Sequence, residues 1–105
     1  MSYRRENETL SNKNLKGTNL KSIILRNVNL SKTNLENAIL DNNEISGDLS
    51  NISLRNASLQ NAVLLHADLS WADLTGTDLE GADLTGASLS SATLTNAECS
   101  SSAIA

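Results

Sequence analysis

An aliphatic residue recurs at every fifth position along nearly all of this 105-residue chain. The centres of these pentads run Leu10, Leu15, Leu20, Leu25, Leu30, Leu35, Leu40 and Ile45. After one interval of four, the series continues Leu49, Leu54, Leu59, Leu64, Leu69, Leu74, Leu79, Leu84, Leu89, Leu94, Cys99 and Ile104. Two residues before each centre stands a second patterned position. From Thr18 it is mostly small or β-branched, as in Ile23, Val28, Thr33 and Ala38, then Ala57 through Ala97 with Thr77 among them. Asn or Asp often directly precedes the centre. On an α-helix five residues advance about 500°, so successive leucines would scatter around the cylinder. On a flat strand side chains alternate, and an odd period would throw successive leucines to opposite faces. One apolar core results only if the chain turns a similar corner in every pentad, which makes a solenoid lined with leucine.

A second rhythm sets the number of sides. The residue after the centre is Ser at 11, 31, 50, 70 and 90, which is every fourth pentad. That recurrence stacks these serines on one face of a four-sided coil. A second face repeats Lys16, Glu36 and Arg55, and a third brings Lys21 to Asp41, alternating in charge as stacked neighbours do. The short pentad holds only Ser46, Gly47 and Asp48 between its centres. Glycine tolerates unusual backbone angles there. The spacing predicts either a 19-residue coil with a bulge or tightened corner, or a short loop between two stacks.

The run "ADLTGTDLEGADLTGASL" resembles the pentapeptide repeat family, whose motif is approximately A(D/N)LXX. The likeness covers about residues 8–105. It implies an all-β fold, a right-handed quadrilateral β-helix of about five coils with four pentapeptides per coil. The centre and the small residue two before it would be the inward pair. Glu8 and Lys13 depart from the small position, so the first two pentads are expected to form a frayed or capping segment with Tyr3 shielding the end, and residues 1–7 an N-terminal cap or a disordered segment.

Composition sharpens this picture. Aromatic residues are 2 % of the chain, so the core must be thin and aliphatic. The net charge is −4. All 8 Lys and Arg lie in residues 1–55, whereas residues 56–105 hold only acids. An acidic chain of this kind is not expected to bind nucleic acid directly, because phosphate tracking needs a basic surface. No apolar run approaches a membrane span, and the start lacks the apolar stretch of a signal peptide. A single cysteine is compatible with an intracellular site, no membrane contact is expected, and the resemblance, to a family found largely in bacteria and especially cyanobacteria, implies a bacterial cytoplasmic protein.

Few residues offer chemistry. His66 is the sole histidine, which excludes a multi-histidine metal site. Cys99 sits at a centre and is expected to be buried and inert. Asp68, Asp73, Asp78 and Asp83 fall on successive faces and cannot converge on one calcium ion. They are expected to hydrogen-bond to nearby backbone instead. No catalytic, cofactor or metal site is expected. Leu65, His66 and Trp71 lie at outward positions and form a candidate interaction patch, since Trp is enriched at binding hot spots. The expected function is therefore a non-enzymatic rigid rod that binds an unidentified protein partner, with end-to-end self-association through the C-terminal coil. Some members of the family mimic duplex DNA and act on DNA gyrase, and the acidic half makes that the alternative expectation.

Overall fold

The computed structural model describes residues 4–99. Tyr3 and Ile104, and with them the expected roles at the two ends, lie outside the described residues. The chain winds into a right-handed four-sided β-helix, all strand and without helix among the described residues. Bridges join Thr9 to Asn29, Asp48 to Asp68 and Asp68 to Ser88, each parallel, so one wall has five stacked levels. Five levels at about 4.8 Å give roughly 24 Å of height. The extents are 30 × 26 × 25 Å, a block about as wide as it is tall. The longer strands are β1 (Arg4–Glu6), β2 (Ile24–Asn29) and β3 (Glu44–Asp48), stacked in parallel in that order, with β2 and β3 running past one corner onto the next wall. Two short strands, β4 (Asp78–Leu79) and β5 (Glu98–Cys99), pair on another. Because Arg4 already pairs with Ile24, the first coil begins ahead of residue 8.

The regular pentads repeat one set of backbone bonds. Leu69 N–H donates to Ser88 O at 2.8 Å, and Ser88 N–H returns to Ala67 O at 2.9 Å. Trp71 N–H donates to Ser90 O at 2.9 Å, and Ala72 N–H closes the corner onto Leu69 O at 3.1 Å. That leaves the N–H of the residue after the centre. Where Asn or Asp precedes the centre, its side-chain oxygen accepts this N–H at 2.9–3.2 Å. Asn14, Asn19, Asn29, Asn34, Asp48, Asp68, Asp73, Asp78 and Asp83 all do so. This Asx turn explains the residue type: the side chain must be short and carry an acceptor.

The centres from Leu25 to Leu84 are buried and stack into four columns around a dry axis. Burying each such side chain contributes about 1.5–3 kcal/mol before entropy is counted. Ala at the second inward position keeps the column narrow. Thr33 and Thr77 also fit there, because their hydroxyls donate to the carbonyls of Leu10 and Leu54 in the coil below. Asn43 is the misfit of the column. Its Oδ1 accepts the Ile23 N–H at 3.0 Å, but its Nδ2 is buried without a partner. The core opens toward the N-terminal end into a cavity of about 380 Å³, lined by residues including Leu10, Leu15, Leu20 and Ile23. In the first coil the inward positions hold Glu8, Lys13 and Thr18, which do not fill it. Glu8 instead pairs with Arg5 at 2.7 Å.

The short pentad is a bulge within a continuous wall. Leu25 pairs with Ile45 and Val28 with Gly47, so β2 spends one more residue than β3 over the same span. Pairing then continues from Asn29 to Asp48, giving one coil of 19 residues. No loop separates two stacks. Asn27 N–H, which has lost its regular backbone acceptor, donates to Ser46 Oγ at 3.0 Å. Gly47 has φ +122°, and a Cβ there would overlap the Val28 carbonyl. Both facts demand glycine. We therefore expect Gly47→Ala to lower stability by about 2 kcal/mol or more, read as a shift in the denaturant midpoint.

The Asx turns also predict an acid dependence. The Ser70 hydroxyl and N–H hold the Asp68 carboxyl below its ordinary range, and the Thr75 hydroxyl does so first for Asp73. The Thr85 hydroxyl, then its N–H, depresses Asp83. Carboxylates favoured in the folded state contribute stability above the unfolded carboxylate range, which is lost as pH falls through it toward the depressed values. Exposure keeps each contribution small. Replacing Asp68, Asp73 and Asp83 together by Asn keeps the acceptor oxygen but removes the titration. The triple variant should lose less stability than the parent between pH 5 and pH 3, values around the usual carboxylate pKa of about 4, in thermal melts.

Candidate interaction surface

The corner residue, two after each centre, has positive φ throughout. Nine Asn residues occupy it, with φ of 52–61°, along with Gly17, Gly76, Gly81 and Gly86. Asn and Gly are the residues that adopt this left-handed conformation at least cost. His66 and Trp71 adopt it too, at 59° and 62°. Both keep the regular backbone bond of the corner, to Thr85 O and Ser90 O, each at 2.9 Å. They are the two ring side chains forced into a conformation that rings disfavour.

Their surroundings differ. The imidazole of His66 lies over Gly86, where an added Cβ would overlap Nδ1, so Gly86 supplies the space for it. Trp71 is 67 % exposed, in a corner column with Asn51 below. Leu65, 39 % exposed, shares the corner of His66. The three residues of the candidate patch thus spread over two neighbouring corners of one coil rather than gathering at one.

The wall of β1, β2 and β3 is distinct. Ile24, Glu44 and Val63 hold the position that carries Asn or Asp on most of the other walls. These positions make no Asx bond, and the longest paired strands, β2 and β3, start here. Beside the short pentad this wall has a depression of about 200 Å³, lined by Arg26, Glu44, Ile45, Ser46, Val63 and Leu65. Arg26 Nε meets Glu44 Oε2 at 2.6 Å, and that bond raises the Arg26 pKa further. The two charges neutralise each other at the rim.

Asp68, Asp73, Asp78 and Asp83 stand on four different walls, each turned to its own Asx bond. Cys99, expected to be buried, is exposed. It lies on the last described level, where no described coil stacks above it, and Leu94 on the same level is 36 % exposed. The C-terminal coil expected to self-associate begins at this level and runs into residues 100–105, which are outside the described part. Sequence reasoning overlooked the corner rule, although the repeated Asn and Gly two after the centre carried it. It also overlooked the depression, whose signals were the missing residue and Val63 in an Asx position.

Comparison with known proteins agrees with this geometry. A family model described as pentapeptide repeats matches residues 9–42, 45–76 and 72–103. A crystal structure of a pentapeptide repeat protein, Rfr23 from the cyanobacterium Cyanothece 51142, superposes with a TM-score of 0.89 at 30 % identity, covering 96 % of this chain and 83 % of that one. HetL, a pentapeptide repeat protein involved in heterocyst differentiation regulation in the cyanobacterium Nostoc, superposes with a TM-score of 0.76 at 30 % identity. That match covers 86 % of this chain and 46 % of HetL. No curated protein matches the chain significantly. With leucine centres, Asx turns and left-handed corners repeated every five residues, and with a family model matching most of its length, the chain belongs to the pentapeptide repeat family.

Proposed function

We propose that this protein is a non-enzymatic interaction module, a rigid block whose corners and walls bind another protein. Trp71 carries the reading. It occupies a left-handed corner at about 1–2 kcal/mol of backbone cost, and its indole is 67 % exposed, so the ring gains little from burial within its own chain. A conformational cost that packing does not offset points to selection for something outside the fold. An exposed Trp on a rigid backbone is a low-entropy anchor for a partner. The regular coil, with His66 spread over Gly86 and the aspartates tied into turns, leaves these groups to structural tasks.

The test separates fold from binding. Trp71→Asn should raise the thermal midpoint, because Asn is the preferred corner residue, while removing a specific partner captured by the wild-type chain from its source organism. A variant less stable than wild type would show that the ring serves packing and would refute the reading.

A further inference from the structure

Two separate irregularities meet at Leu65. In nine pentads the residue after the centre donates its N–H to an Asx oxygen. Val63 stands in that position here, so the Leu65 N–H has no such acceptor. The Leu65 carbonyl loses its partner for a different reason. In the same column the corner residue of the coil below donates to this carbonyl: Asn7 N–H to Arg26 O at 3.0 Å, and His66 N–H to Thr85 O at 2.9 Å. The residue missing from the short pentad is the corner residue that would have donated to Leu65 O. Among the described residues, neither main-chain group of Leu65 thus has a partner within the coil. Both lie beside the depression of about 200 Å³ that the same deletion leaves in the wall.

The chemistry of the depression narrows what fits. Ile45, Val63 and Leu65 give it apolar lining. Arg26 and Glu44 satisfy each other, so no net charge is called for in the ligand. Its volume falls below the roughly 300–1,000 Å³ of drug-sized ligand sites and suits a single aliphatic side chain. One free donor and one free acceptor on a single residue match the main chain of an extended peptide.

We propose that this depression binds an extended segment of a partner protein, which inserts one aliphatic side chain beside Val63 and Leu65 and pairs its own amide N–H and C=O with the free groups of Leu65. The site rests on the reading of the chain as an interaction module but uses a different corner from Trp71.

A displayed library of random heptapeptides, selected on the immobilised full chain, tests it. Recovered peptides should share a Leu, Ile or Val. Two variants should each weaken their binding about tenfold or more, the size expected when a buried polar partner is lost. One is an asparagine inserted between Ser46 and Gly47, which restores the twentieth residue, donates to Leu65 O and closes the depression. The other is Val63→Asn, which supplies the Asx acceptor and uses a residue type the other walls carry at this position. Trp71→Asn should leave binding unchanged. Recovery of no peptide, or of peptides that bind both variants as tightly as wild type, overturns the site. Peptides lost only with Trp71→Asn would overturn it while supporting the Trp71 reading.

Discussion

Everything in this molecule depends on one conformational event repeated every five residues: a backbone residue entering the left-handed region at the corner. Without it the leucines would alternate between two faces and no common axis would exist. With it, each centre falls above the centre four pentads earlier, and main-chain bonds lock the levels together. The corner residue contributes little contact of its own. It is an angle, supplied by Asn at nine described corners because Asn tolerates that angle.

The leucine period and the serine spacing made the four-sided coil legible, since no other shape puts Leu69, Leu74, Leu79 and Leu84 on one axis. The 19-residue coil was legible as one of two outcomes. Continuous pairing from Asn29 to Asp48 decides for the bulge, and the fit of Gly47 against the Val28 carbonyl explains how. The ends were less readable. Cys99 holds the centre position, yet no described coil stacks on it and it is exposed. Residues 4–6 look unlike a repeat, yet they pair because a backbone ladder does not depend on side-chain identity. The candidate surface was read least well. Leu65, His66 and Trp71 are exposed, but an outward position does not tell which corner shares which neighbour, or that a deletion in the coil below Leu65 opens a depression.

Core and surface are therefore governed by different parts of the pentad. The centre and the residue two before it determine stability, as the buried columns show. The remaining positions must only hold an angle or an acceptor. Substitutions that alter recognition can accumulate on the walls while the axis is untouched. Ring residues at corners and aliphatic residues at Asx positions are the departures that cost local order and so mark places of interest.

The Asx position has a further consequence. Asparagine and aspartate present the same acceptor oxygen in nearly the same shape, so nine turns can each be neutral or negative at constant geometry. The N-terminal coils carry the amide and the later ones the acid. The electrostatic field of such a protein is thus an independently adjustable coating, free to drift or to be tuned over several charges without any change in architecture.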